Sequence, residues 1–249
     1  MRWRAALIDS CGEWPGAVAE AAFVDEGGGT GARTVRSCAA GLDAMGHGSR
    51  VARLLTDGDA EFELMLGQVF LGKAPASAAV VAAALDWAVE GGAGLIHMSL
   101  GLAADRAVLA EAVLRAVGAG CVVVASAPAR GGVVYPAAYP GVIRGTGDAR
   151  CGPGELSCLG PGFFGGCPRW VVSGAEDCAA GAGVDVGEGV SGEGTSGVGT
   201  SGGASIGAAW VTRSILSQPA KRDAREVIGM MTAKAKYLGP ERRELMRAI

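Results

Sequence analysis

The amino-acid sequence predicts an α/β protein in which a mostly parallel sheet carries helices on both of its faces. Three apolar runs are typical of buried strands: "RAALID" (4–9), "GLIHMSLG" (94–101) and "CVVVASA" (121–127). Three stretches between these runs have the apolar spacing of helices and end at or just before a glycine: "GSRVARLLTD" (48–57), "SAAVVAAALDWAVEGG" (77–92) and "RAVLAEAVLRAVGAG" (106–120). Because strands alternate with helices along the chain, we expect parallel strands that are wrapped by helices.

The second half of the chain has a different texture. Residues 131–190 are rich in Gly, Pro and Cys, which predicts loops and short strands that complete the edge of the domain. A helix is expected from 203 to about 217, and a second helical segment follows Pro219. No linker divides the chain, so residues 1–249 are expected to form a single domain. Within it, 187–200 is predicted to be a flexible glycine-rich loop and 219–249 a basic helical segment.

The composition indicates a cytoplasmic globular protein. Hydrophobic residues make up 49% of the 249 residues, so the chain can bury a sizeable core. No apolar run reaches the roughly 18–20 residues that a membrane span needs, and "MRWRAALIDS" lacks the cleavage site of a secretion signal. The seven cysteines form no Cys-x-x-Cys pair, which favours reduced thiols. A redox link among Cys151, Cys158 and Cys167 stays open as an alternative.

Charge and ligand-type residues argue against several partners. The formal net charge is −3, while residues 221–249 carry eight Lys/Arg against four Asp/Glu. Their mixed signs and lack of interleaved aromatic residues favour a solvated helix face over binding of nucleic acid. With only two histidines no zinc site is expected, and no cofactor is expected either. Asp57, Asp59 and Glu61 are spaced at alternate positions, which is more typical of a solvated turn than of a calcium loop.

The stretch "GEGVSGEGTSGVGTSGG" (187–203) contains Gly-x-Gly-x-x-Gly, a pattern that also occurs in dinucleotide-binding loops. Such a loop follows a strand directly and stands near the first strand of its domain, and neither condition holds well here. Low-complexity loop is the better interpretation of 187–198. Nucleotide binding remains an alternative that rests on these glycines alone.

The last Gly-Thr-Ser of this stretch differs from the earlier one because a helix is predicted directly after it, "ASIGAAWVTRSIL" (204–216). At the first turn of a helix, unpaired N–H groups and the positive end of the helix dipole stabilise negative charge. Ser201 stands at that position, whereas Ser196 is followed by more loop. On its own, Ser201 would be interpreted as a helix N-cap.

A serine nucleophile needs a base, and the base needs an orienting carboxylate. His47 is flanked by glycines just before a predicted helix, which leaves its ring accessible, whereas His97 lies inside a predicted strand and is expected to pack there. Asp9 ends the first apolar strand, and the tips of parallel strands are where such folds collect functional groups. Asp9, His47 and Ser201 are therefore the candidate catalytic residues.

The order of these motifs resembles that of the subtilisin-like serine proteases over about residues 4 to 217. The matching motifs are Asp-Ser after a strand (9–10), Gly-His-Gly-Ser (46–49), Met-Ser-Leu-Gly (98–101), Val-Val-Val-Ala (122–125) and Gly-Thr-Ser before a helix (199–201). The resemblance implies a three-layer subtilisin-like fold. It also implies an Asp-His-Ser triad that hydrolyses peptide bonds through an acyl-enzyme.

In that family Asp9 corresponds to the orienting acid, His47 to the general base and acid, and Ser201 to the nucleophile. The segment that matches Ser99, Leu100 and Gly101 lines the substrate cleft and pairs with the peptide backbone as an added strand. The resemblance thus implies a peptide or protein substrate.

The chain departs from the family pattern at three places. Ser49 and Arg50 stand where Thr and His are usual, outside the reacting atoms, and Ser205 replaces a proline in the first turn of the helix. The family's oxyanion-stabilising Asn is absent: the matching position falls on Ala129, or on Pro128 if the alignment slips by one. Loss of one such donor costs about 10²–10³ in rate. The backbone N–H of Ser201 would remain in the oxyanion hole, and Arg130 or Ser126 are candidate substitutes.

Two functions follow from these observations. One is an endopeptidase of narrow specificity, similar to the leader peptidases that trim a ribosomally made precursor in peptide or cofactor maturation, where a partner enzyme of the maturation pathway is also implied. The other is a catalytically impaired pseudoprotease, which keeps the cleft and binds a peptide partner without cutting it. The missing Asn favours the second, and retention of all three triad residues favours the first.

Overall fold

The computed structural model describes residues 2–26, 34–170, 202–220 and 223–241. The strands of these ranges are β1 Trp3–Asp9, β2 Ala19–Glu26, β3 Thr34–Cys38, β4 Phe62–Gln68, β5 Leu95–Met98, β6 Val122–Ser126, β7 Val142–Gly147, β8 Leu156–Gly160, β9 Phe163–Gly166 and β10 Tyr237–Leu238. The helices are α1 His47–Thr56, α2 Ala78–Glu90, α3 Ala107–Gly118, α4 Gly202–Leu216 and α5 Ala224–Lys234.

The strands form one twisted mixed sheet in the order β10-β8-β9-β7-β6-β5-β1-β4-β2-β3. Seven of its pairings are parallel, and the β2–β3 and β8–β9 pairings are antiparallel. The central strand β1 lies between β4 and β5, so Asp9 at its end is flanked on both sides by other parallel strands. The α/β class with a mostly parallel sheet is confirmed.

Helices cover both faces of the sheet and make three layers. Along β1, Ala6 and Ile8 face the core beneath α2 and α3, while Ala5 and Leu7 face the core beneath α1, α4 and α5. This alternation is the two-residue period of a strand with both faces buried, which explains why the run "RAALID" is almost continuously apolar. All six strands and helices predicted in the first half are present, with bounds that differ by a few residues.

Three strands of the first 70 residues were not anticipated. The run "FELMLGQ" forms β4, which fills the place between β1 and β2, and β2 pairs antiparallel with β3 at the edge of the sheet. The turn that contains Asp57 is less solvated than expected, because the Asp57 carboxylate lies 3.0 Å from an Arg213 guanidinium nitrogen on α4.

The C-terminal segment 219–249 is helical only in part, since β10 follows α5 and pairs parallel with β8. Backbone hydrogen bonds from Lys236 to Leu156 and from Gly239 to Cys158, both 2.8 Å long, hold it on the sheet. The predicted loop 187–200 lies outside the described residues. Within the described ranges no helix combines the length and the apolar character that a membrane span requires. The six cysteines there, including Cys151, Cys158 and Cys167, are not disulfide-bonded.

Helix α4 lies directly on the backbone of two strands. A Cβ placed on Gly207 would lie 2.1 Å from the Thr146 carbonyl oxygen of β7, and one on Gly166 of β9 would lie 2.6 Å from the Gly207 carbonyl oxygen. The helix runs antiparallel to β7, because its Ala208 meets Gly145 while its Gly203 meets Gly147. The start of α4 is therefore at the carboxyl edge of the sheet, the edge at which Asp9 ends β1.

This close approach gives a test of the helix–sheet packing. Gly207→Ala inserts a methyl group against a strand backbone that cannot rotate away, so we expect a loss of about 1–3 kcal/mol in the free energy of unfolding, measured by urea denaturation. Gly229→Ala on α5 is the matched control, since beyond the helix's own backbone no described residue lies within 4 Å of its Cβ position. There the higher helix propensity of alanine should add up to about 1 kcal/mol of stability. Equal effects at both positions would contradict the packing.

Candidate active site

Asp9 is buried at the carboxyl end of β1, where 1% of its surface is exposed. Its Oδ1 accepts hydrogen bonds from the Ser10 backbone N–H at 2.6 Å and from the Ser10 hydroxyl at 3.2 Å. The Ser10 hydroxyl in turn accepts from the backbone N–H of Gly48 at 2.9 Å. The carboxylate is thereby held in one orientation and linked to the first turn of α1.

His47 is the first residue of α1, and its Nδ1 lies 2.9 Å from Oδ1 and 3.0 Å from Oδ2 of Asp9. A carboxylate only accepts hydrogen bonds, so Nδ1 carries the proton and Nε2 of the neutral ring is an acceptor. Nε2 is buried and makes no hydrogen bond with any described residue. The structure thus brings together Asp9 and His47, the acid and base that the sequence predicts. No described residue bonds Nε2 of His47.

The electrostatic setting of His47 has two opposing parts. Burial by itself lowers the pKa of His47, but the charge of Asp9 and the hydrogen bond to it more than offset burial, and Asp43 adds to them. The pKa of His47 therefore lies above its usual value of about 6.5.

A short loop before α1 holds His47 in place. The carboxylate of Asp43 accepts from the backbone N–H of Gly46 at 2.8 Å and from both the N–H and the hydroxyl of Ser49 at 2.7 Å. Gly46 is the N-cap residue and adopts the left-handed conformation with φ 66°, which glycine tolerates. Burial raises the pKa of Asp43, but the hydrogen bonds from Ser49, Ser10 and Gly46 together outweigh it, so the net shift is downward. Asp43 stabilises the start of the helix in place of an N-cap side chain.

Gln68 ties this loop to the sheet. It stands opposite Asp9 in the β1–β4 register and is fully buried. Its Nε2 donates to the Ser10 carbonyl at 2.9 Å, and its Oε1 accepts from the Gly41 N–H at 2.9 Å. One buried amide therefore fixes both the residue after Asp9 and the loop that leads to His47.

Cys11 follows the Asp-Ser motif and contacts the Ser49 hydroxyl of α1, and it is an unsuitable nucleophile. Burial raises the pKa of Cys11 to about 11. The thiol therefore stays protonated at neutral pH, and a protonated thiol is a poor nucleophile.

His97 lies on β5 beneath the site and is fully buried, as expected of a packed histidine. Its Nδ1 lies 2.7 Å from the Thr212 hydroxyl of α4, and its Nε2 lies 2.7 Å from the Ser99 hydroxyl. Burial lowers the pKa of His97 to about 4, so the ring is neutral at neutral pH. A neutral imidazole offers one donor and one acceptor, and the two hydroxyls satisfy both. His97 joins α4 to the end of β5.

The other sequence-predicted residues are found in different settings. Ser99 and Leu100 have 1% of their surface exposed, and Gly101 is partly exposed, so a peptide would meet this segment through its backbone. Ala129 lies in the exposed loop after β6, where Arg130 points to the surface with 67% of its side chain exposed. Ser201 and Ser196 lie outside the described residues. The described part of α4 begins at Gly202, the residue after Ser201.

Sequence reasoning missed the residues that orient the pair. Ser10 stands in the Asp-Ser motif, but its bonds to the Asp9 carboxylate were not anticipated, and Asp43 and Gln68 act mainly through hydrogen bonds to backbone groups. Asp43 had a signal of its own, since an Asp three residues before a turn glycine is typical of a side chain that bonds the backbone ahead of it. Gln68 and Thr212 had none, because their partners are distant in sequence.

No protein-family model and no curated protein matches the chain. Among solved structures, a lanthipeptide protease matches with a TM-score of 0.45 and 19% identity over 59% of this chain and 48% of that chain. The patellamide maturation protease PatA matches with a TM-score of 0.42 and 19% identity over 60% of this chain and 58% of that one. The self-cleaved protease domain of PatA matches with a TM-score of 0.42 and 19% identity over 59% of this chain and 57% of that one.

The matched part of this chain spans about half the length of those structures. Likeness at this level assigns no activity to this chain.

The neutral state of His97 predicts a specific pH dependence of stability. The unfolded chain protonates this histidine below about pH 6.5, whereas the folded one does so only near pH 4. The unfolded state therefore binds more protons between these values, and stability falls as the pH falls, by up to about 1.4 kcal/mol per pH unit. We therefore expect the free energy of unfolding, measured by urea denaturation from pH 7.5 to 4.5, to fall less steeply in His97→Gln than in the wild type.

His47 contributes to stability in the opposite direction, because its pKa is raised in the folded state. Its contribution is complete below about pH 6.5 and is lost as the pH rises through the folded pKa. The wild type and His97→Gln both retain His47, so the contribution of His47 cancels when the free energies of unfolding of the two proteins are subtracted. Parallel stability curves for the two proteins would contradict a neutral, buried His97.

Proposed function

We propose that this chain is a serine endopeptidase of the subtilisin-like type, with Asp9, His47 and Ser201 as its catalytic triad. The observation that carries the proposal is the buried Asp9–His47 pair, in which Nδ1 is bound to the carboxylate and Nε2 makes no hydrogen bond with any described residue. A purely structural histidine has its second nitrogen satisfied, as His97 does. A general base needs that nitrogen for the proton of its nucleophile.

Asp9 has two tasks in this mechanism. It fixes the tautomer of His47 by accepting the Nδ1 proton, and it stabilises the imidazolium that forms when Nε2 takes up a second proton. Ser10 and Gln68 support these tasks, because they hold the carboxylate and the chain that follows it.

Ser201 is the nucleophile of the proposed reaction. His47 Nε2 takes the proton of its hydroxyl while the oxygen attacks the scissile carbonyl, and then returns that proton to the leaving amine. Water hydrolyses the acyl-enzyme by the same route in reverse. The position of Ser201 in sequence supports this role, because α4 starts at the next residue and runs from the edge of the sheet that carries Asp9.

The oxyanion would be stabilised chiefly by the backbone N–H of Ser201. The position of the family's Asn is taken by Ala129, whose side chain donates no hydrogen bond. The proposed enzyme is therefore slow, by about 10²–10³ relative to one with both donors. Slow turnover suits a protease in the cytoplasm, where unrestrained cleavage would damage other proteins.

The proposed substrate is a precursor peptide or protein with a leader segment, which is processed during peptide or cofactor maturation. The short, cysteine-rich form that lacks the Asn most resembles the protease that removes a leader from the small subunit of quinohemoprotein amine dehydrogenase. On this narrower hypothesis, the substrate is the precursor of that small subunit. A second enzyme that matures the same subunit would be a partner of this chain.

The second candidate function is a pseudoprotease that binds a peptide without cleaving it. The alanine at position 129 favours it. The organisation around His47 speaks against it, because peptide binding alone has no need of an oriented base with a free ring nitrogen.

Active-site labelling separates these two functions. We expect the wild-type protein to react with a fluorophosphonate and gain one adduct by intact mass, because an activated serine attacks the probe without a bound peptide. Ser201→Ala should abolish the adduct and Ser196→Ala, the matched control, should keep it. A folded wild-type protein that gains no adduct, with and without candidate precursor peptide, would favour the pseudoprotease. An adduct lost only in Ser196→Ala would assign the role of nucleophile to Ser196 instead of Ser201.

The labelling rate should also depend on pH through His47. The base works only when neutral, and its pKa is raised by Asp9, so the rate should increase with pH with a midpoint above about 6.5. Asp9→Asn should lower the rate by about 10⁴-fold, as expected when the ring loses its orientation and charge support, and should move any remaining midpoint down. A rate independent of pH between 5 and 9 would rule out His47 as the base.

A further inference from the structure

A cavity of about 250 Å³ opens beside the loop that follows β6. Residues 127–134 form one side of it, and Arg144 of β7 with Phe163 of β9 forms another. The loop includes Gly131 and Gly132, which are exposed and whose Cβ positions have no described residue within 4 Å apart from their chain neighbours, so the mouth is open to the surface.

This cavity adjoins the segment 99–101. A Cβ placed on Gly101 would lie 3.4 Å from Cβ of the lining residue Val134. The next residues, Leu102 and Tyr135, exchange two backbone hydrogen bonds of 2.7 and 2.9 Å, which fix the segment against the cavity wall. A peptide paired with residues 99–101 would therefore pass the mouth of the cavity.

The charged lining residues are both arginines, Arg130 and Arg144. The Arg144 guanidinium stacks on the Phe163 ring at 4.7 Å, and one nitrogen donates to the Pro161 carbonyl at 3.3 Å. A guanidinium has five N–H groups, and among the described residues the Pro161 carbonyl accepts from one of its nitrogens, so most of its donor capacity is open to a ligand. Within the described ranges, no carboxylate forms an ion pair with Arg144.

Arg130 stands at the rim, and within the described ranges its ion pair is a long one. Its guanidinium lies 4.0 Å from the Glu241 carboxylate, and both side chains are well exposed, at 67% and 47%. Such a surface pair contributes little and yields easily to a better carboxylate.

We propose that this cavity selects an acidic side chain, Asp or Glu, of the peptide substrate. The inference rests on the proposed function for the identity of that peptide. The planar fork of Arg144 matches a carboxylate by two parallel hydrogen bonds, and its stacking on Phe163 holds the fork ready. The apolar side chains of Val134 and Phe163 keep water from one side of the contact, which strengthens the attraction between unlike charges.

The test measures binding without cleavage. Fluorescein-labelled heptapeptides with one Glu, Gln or Lys placed in turn at each position of an alanine–glycine background are titrated into Ser201→Ala and followed by anisotropy. At the best position we expect the Glu peptide to bind about tenfold more tightly than its Gln counterpart, because a charged acceptor replaces a neutral one. The ratio should shrink in 1 M salt.

Variants of the two arginines give the sharper result. Arg144→Gln and Arg130→Gln, each made in Ser201→Ala, should reduce the Glu/Gln ratio, and the double variant should bring it to one. Arg130 is exposed, so its variant stays informative if Arg144→Gln fails to fold. Lys73→Gln removes one exposed positive charge outside the cavity and should leave the ratio unchanged. A Glu/Gln ratio of one at every position, no measurable binding of Glu peptides at millimolar concentration, or a ratio that Lys73→Gln lowers equally, would overturn the proposal.

Fluorophosphonate labelling keeps this inference separate from the proposed function. If Ser201 is labelled but peptides show no Glu preference, the proposed selection of an acidic side chain is wrong and the proposed protease function stands. A Glu preference that depends on the arginines, in a protein that is never labelled, supports the pocket and overturns the protease in favour of a peptide-binding protein.

Discussion

The hydrogen bond between Asp9 and Nδ1 of His47 joins the central strand of the sheet to the first helix, and much of the surrounding structure serves to keep it in place. A buried carboxylate loses its hydration, so it is stable only when donors replace the lost water. Ser10 and His47 supply those donors. The cost of burying the charge is thus offset by the contacts that orient the base, and stability and chemistry depend on the same few bonds.

The two histidines illustrate how environment decides the role of one residue type. His97 is deeper, bonds two hydroxyls and has a lowered pKa; His47 is at the edge, bonds a carboxylate and has a raised one. The difference comes from their partners, because burial lowers the pKa of both. Asp9 reverses the direction at His47, while the hydroxyls of Ser99 and Thr212 carry no charge to do so at His97.

Asp9 and His47 were predictable because each stands at the end of an element that the sequence reveals. An apolar run ends at Asp9, and a helical pattern begins just after His47, so the edge of the sheet brings both together. Gln68 was not predictable: its role depends on the register that sets it opposite Asp9, and β4 itself has too mixed a pattern to be recognised.

The glycines of β7 and β9 were misleading for a related reason. A glycine in a loop and a glycine beneath a helix look alike in a sequence, so 131–190 gave no indication of the surface on which α4 lies. The two arginines of the cavity could not be predicted from the sequence either, because Arg130 and Arg144 are brought together only by the pairing of β6 with β7.

The contact of α4 with bare strand backbone has a thermodynamic consequence. Side chains between a helix and a sheet act as a compliant layer that can repack when the helix shifts, but no such layer lies between α4 and the strands where Gly207 meets Thr146 and Gly166. Small displacements of α4 meet rigid peptide groups at once, and larger ones forfeit the whole contact. These contacts therefore oppose sliding of α4 along β7 and β9. Loss of the site and loss of the fold should then occur in a single cooperative transition.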